Sequence, residues 1–146
     1  MVRNSKAGIY KFFSVSENRG TLVAGEFPSG LPFTPKRFFL ISDVPHDEVR
    51  GKHAHFECYQ FLVAVKGSVI VKLRRGTVEE EFELCSSDYG LLIPPMTWGE
   101  QSKYSDGSVL LVFASHIYDE GDYITDFNEF LRQSKDLDSG RAGSQD

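Results

Sequence analysis

An all-β fold, built as a sandwich or a barrel, is the architecture that this 146-residue sequence predicts. Turn-forming glycines and prolines recur along the chain, and short runs rich in β-branched and aromatic side chains lie between them. Many short strands at this spacing are typical of sandwiches and barrels. The clearest strand candidates are residues 37–42, 59–65, 68–73, 78–84, 90–93 and 108–114.

Two of these runs should pair as a hairpin. Val69, Val71 and Leu73 alternate with outward-facing positions, and the run 78–84 continues the half-buried pattern after the turn RRGT at 74–77. We interpret the acidic stretch at 79–83 as a solvated strand face and not as a metal or partner site.

One short helix is predicted near the end of the chain. Phe127, Phe130 and Leu131 recur at helical spacing, and Thr125 or Asp126 can cap the first turn. We expect a single domain over residues 1–134 and a disordered tail over 135–146, where glycine, serine and aspartate dominate.

Composition and charge exclude several functions. The formal net charge of −5 argues against general binding to nucleic acid or anionic membranes. The start of the chain lacks the apolar core of a signal peptide, and no run approaches the ~18 apolar residues of a membrane span. Cys58 and Cys85 show neither zinc-site spacing nor a disulfide framework. We therefore expect a cytoplasmic protein with no nucleic-acid or membrane partner.

The segment RGKHAH at 50–55 contains the strongest functional signal. His53 and His55 stand two residues apart in an extended run, so both side chains leave the same face of the strand. If that face lines the inside of a barrel, the two imidazoles share one cavity. A lone histidine is more often a packing residue, but a pair beside Arg50 favours a functional site.

The spacing of His53, His55, Gln60 and Gly67, followed by the segment 90–99, resembles the two motifs of the cupin superfamily. This resemblance implies a jelly-roll β-barrel, in which two histidines, a glutamate and a further histidine bind a divalent metal. Here Gln60 replaces the glutamate and Gly99 replaces the last histidine. Two imidazoles and an amide lack the anionic donor that divalent metal sites usually contain, so we expect neither metal nor cofactor.

Without a metal, the two histidines become candidates for acid–base catalysis. An unperturbed histidine titrates near neutral pH, so one ring can accept a proton while its neighbour donates or relays one. Such a pair facing one ligand suits the movement of a proton between adjacent carbons, as in an isomerase or epimerase.

A narrower resemblance rests on RGTL at 19–22, KRFF at 36–39, RGKHAH and YDEGDYI at 118–124. Together they resemble the sugar-nucleotide 3,4-ketoisomerases, such as the dTDP-4-keto-6-deoxyglucose 3,4-ketoisomerases of deoxyamino-sugar biosynthesis in O-antigens, S-layers and antibiotics. The resemblance implies metal-independent conversion of a dTDP-linked 4-keto sugar into the 3-keto sugar through an enediol. His55 would then be the main base and His53 its partner in moving protons to and from oxygen.

The same resemblance implies a homodimer that exchanges N-terminal strands near residues 8–13. For the substrate we expect a role for Gln60 and for arginines near the motif, because guanidinium groups bind phosphate bidentately. Trp98 either stacks on the ligand or packs in the core. The expected substrate-binding residues are Arg19, Arg37, Arg50, Gln60 and Trp98.

Two positions depart from the ketoisomerase pattern. Gly99 follows the tryptophan where relatives place a bulky polar side chain, and Phe38 and Phe39 stand where relatives often have tyrosine. These departures leave three alternatives open: a non-catalytic sugar-nucleotide-binding module, a metal-dependent cupin, and a jelly roll whose histidines are only hydrogen-bonded inside.

Overall fold

Two five-stranded β-sheets, a separate two-stranded hairpin and one α-helix form most of the chain in the computed structural model, which describes the backbone of residues 6–143 and the side chains of residues 6–136. The strands are β1 Gly8–Lys11, β2 Phe13–Glu17, β3 Gly20–Ala24, β4 Arg37–Ser42, β5 Arg50–His55, β6 Gln60–Lys66, β7 Val69–Arg75, β8 Val78–Leu84, β9 Tyr89–Ile93, β10 Trp98–Ser102, β11 Val109–Ala114 and β12 Tyr123–Ile124, and the helix is α1 Phe127–Gly143.

The predicted all-β class is confirmed: ten strands form two five-stranded antiparallel sheets, and β2 and β3 form a separate hairpin. The strand order is β1-β9-β6-β11-β4 in the first sheet and β12-β5-β10-β7-β8 in the second. Their inner faces contribute to one apolar core, with Leu62, Leu91 and Leu110 from the first sheet and Val71 and Leu73 from the second. This is the layered arrangement of a jelly roll, and it leaves β5 with its inner face towards the interior.

The predicted hairpin is formed by β7 and β8. Arg75 pairs with Val78, so Gly76 and Thr77 make a two-residue loop. Gly76 has φ +60°, as the first loop residue of a tight hairpin turn requires. The acidic residues of β8 are exposed, and Lys72 lies 3.6 Å from Glu79. The acidic run is therefore a solvated face, where a single ion pair adds little stability.

The helix begins as predicted and covers the outer face of the second sheet. The Oδ1 atom of Asp126 accepts hydrogen bonds from the backbone N–H groups of Asn128 and Glu129. Phe130 is fully buried against Trp98 and Ile124. Strand β12 lies directly before this helix and pairs with β5. The packing of the helix on the sheet therefore helps to hold β12 beside β5.

The helix extends to Gly143, past the domain boundary expected at residue 134, and that boundary and the disordered tail stay predictions. No proline interrupts this segment, and once a helix has formed, each further residue adds a hydrogen bond at little cost. Residues 144–146 of the predicted tail lie outside the described residues. Within residues 6–143, no helix has the length and apolar character needed to cross a bilayer.

Candidate active site

The two histidines of RGKHAH lie together on the inner face of β5. Their ring centroids are 4.9 Å apart and the rings meet edge to face. His55 is buried, at 5% exposure, while His53 is only half-buried. His53 is therefore the more accessible of the two rings.

The glycine of the motif has a conformational role beside this pair. Gly51 has φ +68°, at a shift in the register between β5 and β10. A Cβ atom there would lie 2.8 Å from Nε2 of Gln101. A glycine at this position therefore permits both the bend of β5 and the close approach of Gln101.

His55 is held by an aspartate that sequence reasoning did not assign. Its Nδ1 atom lies 3.0 Å from Oδ2 of Asp122. Asp122 ends a 3-10 helix, Glu120–Asp122, directly before β12, and β12 pairs Tyr123 with His55. Burial lowers the pKa of His55, and the hydrogen bond to Asp122 and its charge oppose that shift.

His53 has a different partner. Burial and the neighbouring His55 lower the pKa of His53 to about 4, and a hydrogen bond with Gln60 raises it only in part. Gln60 is buried and offers a neutral amide, which holds a ring in place without stabilising its charged form strongly. His53 is therefore neutral at pH 7, with a ring nitrogen able to accept a proton.

Arg37 lies on the inner side of β4 close to the histidines. Its guanidinium carbon lies 5.4 Å from the ring centre of Phe39 and 5.5 Å from that of Tyr118. Its positive charge contributes to the lowered pKa of His55. The Nε atom of Arg37 and the Nε2 atom of His55 are the two buried side-chain N or O atoms, among the described residues, without a hydrogen-bond partner.

These two unpartnered atoms indicate a site built for a ligand. Buried polar groups in native proteins almost always have a partner, and exceptions mark functional positions or bound water. A narrow cleft of about 10 Å³ beside the Nε2 atom of His55 is lined by His53, His55, Gln60, Gly51, Thr97, Gly99 and Gln101 among others, whereas Arg37 does not line it.

Gln101 and Gly99 shape the opposite wall of the cleft. The O–H of buried Tyr104 donates to Oε1 of Gln101 at 2.5 Å, and burial raises the pKa of Tyr104 to about 12. The amide group of Gln101 is thus fixed in place.

At Gly99, a Cβ atom would be no nearer than 3.7 Å to any neighbour, so packing does not require a glycine there. Gly99 is paired with His53 across the two strands and leaves room in the cleft opposite it.

Three residues expected at the site do not line the cleft. Trp98, at 6% exposure, packs on Phe127 and Phe130 at centroid distances of 5.2 and 5.7 Å, so it belongs to the contact between α1 and the second sheet. Arg50 is exposed at the start of β5, opposite Gln101. Arg19 is 91% exposed at the tip of the β2–β3 hairpin, near Glu17. The structure brings together His53, His55, Gln60 and Arg37.

The residues present do not fit the metal site of cupins. Gln60 supplies a neutral amide where the fold family has a carboxylate, and Gly99 supplies no donor. A separate group of donor atoms, from His55, Cys58 and Asp122, lies within 4.8 Å of one another. There the Nδ1 atom of His55 and Oδ2 of Asp122 already bind each other.

The lowered pKa of His53 predicts a pH-dependent stability. Between pH 6.5 and about 4 the histidine of the unfolded chain takes up a proton while the folded one stays neutral, so stability falls as the pH falls. His53 should contribute up to about 3 kcal/mol to this loss. Urea denaturation at pH 7 and pH 4.5 measures it.

In His53→Asn, the part of the fall in stability that comes from His53 should disappear. The part that comes from the carboxylates should remain, because the variant leaves them unchanged. An identical fall in stability for the wild type and for His53→Asn would contradict the lowered pKa.

Fold and site together define a class: a cupin-type jelly roll whose paired cavity histidines stand without an acidic metal ligand, as suits proton-transfer chemistry. The family model described as "FdtA: WxcM-like, C-terminal" matches residues 5–135. The chain belongs to this family.

Individual relatives give the same result. The TDP-4-oxo-6-deoxy-alpha-D-glucose-3,4-oxoisomerase of Aneurinibacillus thermoaerophilus is 38% identical over 124 residues, covering 85% of this chain and 89% of that protein. A 3,4-ketoisomerase from Helicobacter canadensis superimposes with a TM-score of 0.86 at 37% identity, covering 90% and 99% of the two chains. QdtA from Thermoanaerobacterium thermosaccharolyticum, solved as a histidine-to-asparagine mutant with TDP-4-keto-6-deoxyglucose, gives 0.87 at 34% identity, covering 89% and 94%.

Proposed function

We propose that this protein is a 3,4-ketoisomerase that converts TDP-4-keto-6-deoxyglucose into a TDP-linked 3-keto-6-deoxyhexose, without a metal, for deoxyamino-sugar biosynthesis. The observation that carries the proposal is the pair of edge-to-face imidazoles in the cleft, each with one partner within the protein. The substrate is inferred from the relatives. Neither Cys58 nor Cys85 is in a disulfide, which suits the proposed cytoplasmic location.

The reaction needs only proton transfers. A base takes the proton from C3, the electrons of that C–H bond form a C3=C4 double bond, and the C4 carbonyl oxygen takes a proton. The resulting enediol then loses the proton of its C3 hydroxyl while C4 receives a proton, which leaves the carbonyl at C3. Atoms and electrons balance without an oxidant, and two histidines can supply every transfer.

We assign the carbon protons to His53 and the oxygen protons to His55, the reverse of the division expected from sequence. The half-buried His53 is neutral and is the ring that a sugar reaches first. His55 is buried and hydrogen-bonded to Asp122, so positive charge on its ring would be shared with a carboxylate. That arrangement favours repeated uptake and release of hydroxyl protons.

Arg37 is the proposed ligand for the diphosphate. Its stacked guanidinium retains an unpartnered buried N–H, and a phosphate oxygen is a matching acceptor. Gln60 and Gln101 would orient the sugar ring and the histidines from the two walls of the cleft. Trp98 has no proposed contact with the substrate, because its ring packs on Phe127 and Phe130 of α1.

We further propose that the protein acts as a homodimer. The outer face of the first sheet exposes Phe38 and Leu40, at 65% and 57% exposure, and the β2–β3 hairpin exposes Phe13 and Leu22. A two-stranded hairpin of this kind is marginal alone in water, so a second copy is the partner that fits it. Strand β1 pairs with β9 of its own chain, which makes β2–β3 the better candidate for exchange than residues 8–13.

Exchange of the β2–β3 hairpin would also give a role to the exposed guanidinium group of Arg19. In its own chain Arg19 is exposed at the hairpin tip, away from the cleft residues. In a dimer the hairpin could carry this guanidinium to the nucleotide diphosphate bound by the second copy.

Leu40→Asp should convert the dimer into monomers, because it places a charge on the exposed apolar face of the first sheet. We expect the dimer dissociation constant to rise at least about 100-fold, measured by analytical ultracentrifugation. Val78→Asp is the matched control, since Val78 has the same 57% exposure but lies on β8 of the other sheet. Wild-type protein that sediments as a monomer at micromolar concentration would contradict the proposal.

The proposed reaction is tested by incubating the protein with TDP-4-keto-6-deoxyglucose in deuterated water. We expect deuterium at C3 or C4 and a 3-keto product in the NMR spectrum. Absence of both exchange and product at millimolar substrate would exclude the reaction. Tight TDP binding without turnover would support the non-catalytic binding module, which the loss of polar side chains at Gly99, Phe38 and Phe39 leaves as the second candidate.

A further inference from the structure

Asp122 is fully engaged by three donors from the β5 segment. Its Oδ2 atom lies 3.0 Å from Nδ1 of His55 and accepts the backbone N–H of Cys58 at 3.2 Å. Its Oδ1 atom accepts the backbone N–H of Glu57 at 2.8 Å. Both oxygens accept backbone N–H groups, so this carboxylate faces Nδ1 of His55 as a hydrogen-bond acceptor.

This geometry determines which nitrogen of His55 carries hydrogen in the neutral ring. A hydrogen bond to an acceptor-only carboxylate requires a donor, so Nδ1 is protonated. The other nitrogen, Nε2, then has a free lone pair. That atom is buried without a partner and belongs to a residue that lines the cleft.

We propose that Asp122 is a positioning residue that holds His55 in the tautomer with hydrogen on Nδ1, so that Nε2 is the atom that exchanges protons with the substrate. This inference rests on the proposed ketoisomerase function and assigns a task to the YDEGDYI segment. The same carboxylate ties the backbone of Glu57 and Cys58, so the turn after His55 and the orientation of its ring are fixed by one group.

The test compares Asp122→Asn with the wild type. Asparagine keeps the size of the side chain and can still accept from the N–H of Glu57, but its amide can donate to Nδ1 and thereby favour hydrogen on Nε2. We expect kcat to fall by about 10²- to 10⁴-fold, as when an orienting carboxylate is lost, with KM changed less than about threefold. Long-range ¹H–¹⁵N NMR of the uncomplexed protein should show the His55 proton moving from Nδ1 to Nε2.

The NMR measurement separates a failed inference from a failed function, because it needs no substrate. Asp119→Asn is the matched control: Asp119 only caps the adjacent 3-10 helix, accepting from the N–H of Gly121 at 3.0 Å. It should keep kcat within about twofold. If Asp122→Asn lowers kcat only in proportion to its folded fraction, or leaves the tautomer of His55 unchanged, the inference is wrong.

A metal ion bound by His55, Cys58 and Asp122 would also overturn the proposed role of Asp122. An ion held by His55, Cys58 and Asp122 would replace the hydrogen on Nδ1. Elemental analysis that finds one metal per chain in the purified protein, lost in Cys58→Ser, is the outcome that would establish such a site. We expect no stoichiometric metal and an unchanged His55 tautomer in that variant.

Discussion

Replacing His53 by asparagine should abolish exchange of the C3 hydrogen of TDP-4-keto-6-deoxyglucose with deuterated water and lower kcat by about 10³-fold or more. General-base catalysis is typically worth 10²- to 10⁴-fold, and the half-buried ring of His53 is the proposed neutral base. Proton NMR of the substrate measures exchange and product in the same sample. Binding of TDP should be retained, because the variant removes no charge at neutral pH.

His55→Asn is the informative partner of that variant. If His55 moves only oxygen protons, its loss should slow product formation by about 10²-fold while exchange at C3 remains measurable. His46→Asn is the control, since His46 is exposed and bonds only the backbone carbonyl of Tyr104. Exchange that survives His53→Asn but is lost in His55→Asn would restore the division of roles expected from sequence.

Arg37→Met should both stabilise the folded protein and weaken its binding of TDP. In the free protein the guanidinium has a buried, unpartnered Nε atom, which is a cost that an apolar side chain between Phe39 and Tyr118 would remove. We expect the free energy of unfolding to rise by about 1 kcal/mol. The affinity for TDP should fall about 10- to 100-fold, the value of a charge-assisted hydrogen bond.

Thermal unfolding and calorimetric titration with TDP measure the two effects. Arg132→Met is the control, because Arg132 is exposed on α1 and should change neither quantity. A destabilised Arg37→Met variant with unchanged TDP affinity would show that Arg37 serves the fold and not the ligand. The opposite signs make the result specific, since a general packing defect lowers both stability and affinity.

Much of the fold could be predicted because its signals are local. The alternation of Val69, Val71 and Leu73, the glycine turn after them and the spacing of Phe127 and Phe130 each depend on a few neighbouring residues. The common environment of His53 and His55 follows in the same way from the two-residue period of a strand. The end of the helix is harder to predict, because composition indicates loop tendency whereas helix propagation depends on the residues already ordered before it.

The site was only partly predictable, because contacts between distant residues complete it. Asp122 is 67 residues from His55, and nothing near either residue indicates their pairing; the pairing of β12 with β5 brings them together.

Trp98 and Gly99 are adjacent, so they must face opposite sides of β10. Which of them faces the histidines depends on the register of β10 against β5, where Gly99 is paired with His53. Sequence alone therefore determined the strands, the hairpin and the paired imidazoles, through short-range periodicity. Tertiary structure decided the carboxylate beside His55, the burial of the Nε atom of Arg37 and the packing of Trp98 away from the cleft, because strand register and sheet packing are set by residues far apart in the chain.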